Sequence, residues 1–158
     1  MHLLDIITIT SAGLMAGNEL AVSAFVNPAL RRLDRGPQAQ TLSILTRSLG
    51  RAMPVWYGLC LALLAVESFQ HRHQTTLAAL LVAAVIWVAA IILSIAVLVP
   101  INNRIASLNT AAPAPGWERD HRKWDVLHRV RILLLVVAVL VLTSALLELV
   151  TLSIHLDA

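Results

Sequence analysis

From Leu77 to Val99 the chain carries no charged side chain. About 20 mostly apolar residues are what an α-helix needs to cross the hydrocarbon of a bilayer. Inside lipid the backbone N–H and C=O groups must be satisfied within the segment itself, so a run of this kind is committed to helix. Three other segments approach it. Ile132–Leu152 is interrupted only by Thr143, Ser144, Glu148 and Thr151. Met53–Phe69 is shorter and holds Glu67, and Leu3–Val26 holds Asp5, Asn18 and Glu19. Of the 158 residues 58% are hydrophobic and 13% charged, with a mean hydropathy of +0.79. A soluble domain of this size has too little interior for so much apolar surface, so the class is integral membrane protein. The expected fold is all-α. It is one membrane domain over residues 1–158, a four-helix bundle with spans near 3–27, 53–70, 76–99 and 128–152 and loops 28–52 and 100–127. The first segment lacks the basic start of a signal peptide and is read as a retained helix.

Charge sets the orientation. Of the twelve Lys and Arg, all but Arg72 fall on one side of these spans. Arg31, Arg32, Arg35, Arg47 and Arg51 follow the first; Arg104, Arg119, Arg122, Lys123, Arg129 and Arg131 follow the third. Positive loops stay in the cytoplasm, so loops 1 and 3 are expected inside, both termini outside, and the protein in the inner (plasma) membrane. The net charge of +3 therefore reports topology, and no aromatic–basic interleaving points to a nucleic-acid partner. The single cysteine, Cys60, lies in an apolar run and offers no disulfide framework.

Local punctuation refines the picture. Asn27-Pro28 is expected to mark the inner end of helix one, because the residue before proline avoids helical geometry. Leu42, Leu45 and Leu49 recur at helical spacing, which predicts a short helix over Gln38–Gly50 lying on the inner surface. Pro100 is expected to end helix three, and Asn109–Gly116 reads as a linker. No internal repeat is evident.

Polar groups at membrane depth are costly and mark pathways or sites. Asp5, Glu67 and Glu148 lie near the outer surface, where they read as solvated helix ends. Glu19 is eight residues before Asn27, about 12 Å deeper along a helix, and needs a partner from another helix, a proton or a water-filled cavity. Trp117, His121, Trp124, His128 and Arg131 are spaced four, three, four and three, so a helix through them puts all five on one face. Asp125 borders that face and can reach either imidazole. An amphipathic interfacial helix leading into the fourth span is thus expected. Three readings of its stripe stay open. It could anchor the chain at headgroup depth. It could bind a metal through His121, Asp125 and His128, with Glu19 as fourth ligand. Or it could line a pocket for an aromatic molecule, with Trp117 and Trp124 stacking it, asparagines and Arg131 binding its oxygens and His128 moving a proton.

The four-span layout, "PINN" after the third helix and "WERDHRKWDVLHRVR" before the fourth resemble the anthrone-oxygenase-like family of small membrane proteins, over roughly Leu3 to Leu147. The stretch "GNELAVSAFVNPAL" is similar to the family's first helix. The resemblance implies oxidation of a lipophilic phenolic, anthrone-like or quinol-like compound by O2 without metal, haem or flavin. Carried onto this chain it implies His128 as base, with Glu19 and Arg131 assisting. Asn102, Asn103 and Arg131 would hold phenolate oxygens, Trp117 and Trp124 would stack the rings, and Asn18 and Asn27 would lie in the same substrate site. The partners are then the lipid bilayer and a lipophilic aromatic small molecule, and a homo-oligomer is compatible with the spans. The rival class is a non-catalytic protein that binds lipid or assembles with a partner. A transporter comes third, since four spans would serve one only as an oligomer and no pair of broken helices is evident.

Overall fold

The computed structural model describes residues 3–108 and 115–156, and beyond Glu148 only the course of the helix. Four helices account for nearly all of it: α1 (Leu3–Leu30), α2 (Arg35–Gln70), α3 (Leu77–Ala106) and α4 (Trp117–Leu156). All four are long and apolar enough to cross a membrane, and no strand occurs among the described residues. Each helix packs against its neighbours in sequence and α4 closes onto α1, so the described residues form an up-and-down ring of four. The interior is built from Met15, Leu64, Trp87, Leu135, Leu142 and Leu146, with small alanines between them. Outward-facing Leu14, Phe25, Val55, Val85, Ile92, Leu133 and Leu140 are exposed, the pattern of a chain whose outer solvent is lipid. Most of the Asn109–Gly116 linker lies outside the described residues.

Three of the expected boundaries move. Gln38–Gly50 is not a separate surface helix, because α2 runs unbroken from Arg35 through Pro54 to Gln70. Its first turns are held upright by a second core, where Leu30, Ala39, Leu42, Ile101, Ile105 and Trp117 come together. Ser43 Oγ and Arg47 also donate to the carbonyl of Ala106, at 3.2 Å and 2.6–2.9 Å, and so satisfy a carbonyl at the end of α3. Pro100 does not end α3 either, which continues to Ala106, and α1 continues past Asn27-Pro28 to Leu30. In both helices a π-helical turn ends two residues before the proline, at Val22–Val26 and at Ser94–Leu98. A proline ring normally clashes with the carbonyl four residues earlier. Here that residue is Ala24 or Ala96, inside the widened turn, so the helix absorbs the ring and goes on.

The polar start of α4 is continuous with the apolar run, a point that spacing alone left open. A helix of 40 residues is about 60 Å long, against about 30 Å of hydrocarbon. The charged stretch from Trp117 to about Arg129 therefore stands outside the spanning run. It forms a cap there with the first turns of α2 and the last turns of α1 and α3. Gly116 has φ +96°, and its carbonyl accepts from the N–H groups of Arg119 and Asp120, so a left-handed residue starts the helix. Arg35–Glu118 at 2.6 Å and Arg104–Asp120 at 2.7 Å tie that start to α2 and α3.

Candidate functional site

Within this cap lies a cavity of about 250 Å³. Its walls are mostly aliphatic: Val22 and Val26 from α1, Leu42, Leu45 and Leu49 from α2, Ile105 from α3. Six polar or aromatic groups interrupt them: Asn18 and Asn27 from α1, Thr46 from α2, Asn102 from α3, and His121 and Trp124 from α4. An apolar chamber with a few convergent polar groups is the usual form of a small-molecule site. The π turn of α1 is part of the wall, so the irregular backbone that absorbs Pro28 also shapes the chamber.

The expected stripe on α4 exists and faces inward. Trp117, His121, Asp125, His128 and Arg131 are all buried, and Trp124 is half-buried. This removes the anchor reading, which needs the tryptophans at the lipid headgroups. The ring of Trp124 lies between two imidazoles, with centroids 6.2 Å from His121 and 4.4 Å from His128, both nearly parallel. His121 Nε2 and Trp124 Nε1 are buried and make no hydrogen bond among the described residues. A buried polar atom left unpaired costs about 1–3 kcal/mol, and both of these residues also contribute to the chamber wall. Burial pushes the pKa of His121, which lies in the cap, below the usual histidine value. Its imidazole is therefore neutral at pH 7.

Deeper in the bundle the four helices meet at one polar knot. Glu19 from α1 accepts from Arg131 of α4 at 2.6 Å and from Tyr57 of α2 at 3.4 Å. Arg131 also donates to Ser94 Oγ of α3 at 3.1 Å and to His128 Nδ1 at 2.9 Å. Glu19 thus finds the partner from another helix that its depth requires. His128 Nδ1 lies 2.9 Å from Arg131 and 3.3 Å from Glu19 Oε2, so this ring is held in the knot, and its buried Nε2 makes no hydrogen bond among the described residues.

Not every expected residue joins the chamber. Trp117 is in the second core rather than the wall, and Asn103 is exposed. Arg131 lines a different hollow, of about 210 Å³, beside Met53, Tyr57 and Ile95. Asp125 does not hydrogen-bond an imidazole. It accepts from Asn27 at 2.9 Å, from Arg129 at 3.0 Å and from Arg31. With Asp125 held by two guanidinium groups and Glu19 by a third, His121, Asp125, His128 and Glu19 do not gather as a ligand set. Asp5 and Glu67, expected at solvated ends, are instead 3% and 0% exposed. Spacing along one helix gave no sign of that, because their partners come from other helices and from a turn.

A family model described as anthrone oxygenase matches residues 42–141. The match takes in Asn102, His121, Trp124, His128 and Arg131, while Asn18, Glu19 and Asn27 precede it. No curated protein and no solved structure matches the chain.

Proposed function

Because this chain belongs to the anthrone oxygenase family, we propose that it is a membrane-embedded oxygenase. It oxidises a lipophilic phenolic compound, anthrone-like or quinol-like, in the chamber at the polar end of the bundle. The observation that carries the reading is the chamber wall, where His121 and Trp124, whose Nε2 and Nε1 make no hydrogen bond among the described residues, stand with three asparagines in a mostly aliphatic lining.

An anthrone carries an acidic CH2 beside its aromatic rings. A base removes one proton to leave an electron-rich anthrolate, which reduces O2 and combines with it as a carbon-bound hydroperoxide. Loss of water then turns the CH2 into C=O, with one oxygen atom in the product and one in water. The protein need supply only a base, donors for the phenolate oxygen and a dry space. We assign the base to His121, which stands in the wall with Nε2 unengaged. Asn18, Asn27 and Asn102 bind the oxygens and Trp124 stacks the rings. His128 is a positioning residue: it packs on the other face of Trp124 and is itself held by Arg131 and Glu19. No metal or organic cofactor enters this scheme.

The test is oxygen uptake by the purified protein in nanodiscs, over a panel of anthrones and hydroquinones, corrected for autoxidation. His121→Ala is expected to lower turnover about 10²–10⁴-fold, the usual contribution of a positioned base. His128→Ala is expected to act mainly through KM. A loss of turnover confined to His128→Ala would return the base role to His128. Uptake no faster than autoxidation for every compound would favour the non-catalytic, lipid-binding reading.

A further inference from the structure

At the opposite end of the bundle stands a second cluster. Asp5 and Asn27 are separated by about 33 Å along α1, so this end is remote from the chamber. Here Asp5 of α1 meets Glu67 and His71 at the end of α2, all three buried, with one ligand atom of each within 4.8 Å of the others. Glu67 and His71 are four residues apart, so they project from the same helical face. We propose that Asp5, Glu67 and His71 form a binding site for a divalent first-row transition metal that clamps the start of α1 to the end of α2.

The supporting contacts are those that orient metal ligands. Thr8 Oγ1 donates to Glu67 Oε1 at 2.9 Å, which fixes the carboxylate and leaves Oε2 over. His71 Nδ1 lies 2.9 Å from Gln74 Oε1. With that oxygen as acceptor Nδ1 carries the proton, and Nε2 presents its lone pair toward the carboxylates, 3.4 Å from Glu67 Oε2 and 3.9 Å from Asp5 Oδ1. Neither Glu67 Oε2 nor His71 Nε2 makes a hydrogen bond among the described residues. Among the described residues no Lys or Arg pairs with Glu67. Two carboxylates and an imidazole nitrogen, buried together, are a donor set that a divalent cation neutralises. The nitrogen and the small number of donors suit Zn²⁺, Fe²⁺, Mn²⁺ or Co²⁺ better than Ca²⁺, which takes six to eight oxygens, or Mg²⁺, which keeps several waters. The site is independent of the oxygenase reading and shares no residue with the chamber.

The experiment is a Co²⁺ titration of the full chain in nanodiscs, after stripping with chelator, followed by visible absorption and by the thermal midpoint. One equivalent per chain, with a raised midpoint, is expected. Glu67→Gln and His71→Gln should each abolish that equivalent, and Gln74→Leu should weaken it about 10–100-fold. His73→Ala, an exposed imidazole in the same turn, should leave it intact. Absence of a stoichiometric site in the wild-type chain overturns the proposal, and that result needs no variant to fold. Binding that follows His73 rather than His71 overturns it too. Because oxygen uptake is not the readout, failure here leaves the oxygenase reading untouched, and the reverse holds.

Discussion

At the scale of single residues, burial decides chemistry. Two imidazoles on one face of α4, seven residues apart, look equivalent in sequence. Packing gives one of them a guanidinium donor and leaves the other facing a cavity. The consequence for His121 is a pH effect of definite sign. Its pKa is lowered by burial, so the basic form persists below the ordinary value of about 6.5. The acid limb of kcat/KM is therefore expected under that pH, and His121→Ala should remove it, as a pH–rate profile of uptake would read. Glu19 offers a second prediction. It is 3% exposed and holds Arg131, so Glu19→Ala leaves a buried guanidinium without its carboxylate. Breaking such a pair costs about 3–5 kcal/mol. Equilibrium unfolding in mild detergent should show that loss, whereas Asp120→Ala, at a half-exposed pair, should cost under about 1 kcal/mol.

At the scale of elements, the prolines show how local rules yield to packing. Pro28, Pro54 and Pro100 all lie within helices, and two of them follow a π turn that relieves the ring's clash. Sequence spacing could place the prolines but not the turns, since a π turn is chosen by what the helix must pack against on either side. Gly116 is the converse, a residue whose backbone conformation alone demands it. An alanine there meets no neighbouring atom but must hold φ +96°. Gly116→Ala should therefore cost about 1–2 kcal/mol, read as a lower thermal midpoint, with the cap of α4 losing hydrogen-exchange protection first.

At the scale of the whole molecule, the protein is a ring of four helices with one polar end extended into a cap and a polar knot at depth. The charge pattern predicts that the cap faces the cytoplasm. Single cysteines introduced at Arg51 and at His73, in a Cys60→Ser background, should label from opposite sides of sealed vesicles, His73 from the outside. Labelling of both from one side would remove the up-and-down arrangement. The reverse assignment would keep the fold and turn the protein over.

The sequence by itself determined the helical membrane class, the existence of four spans and which residues share the face of the stripe. Those features rest on composition and on a period of 3.6, which are properties of a single segment. It also pointed to Glu19 as needing a partner, because depth along one helix can be counted. Only the tertiary structure decided who that partner is, which imidazole faces the chamber, that Asn103 and Trp117 stand apart from it, and that Asp5, Glu67 and His71 meet at the other end. Those outcomes depend on contacts between helices far apart in the chain, where a rotation of one helix about its axis changes every pairing while leaving its sequence pattern unchanged.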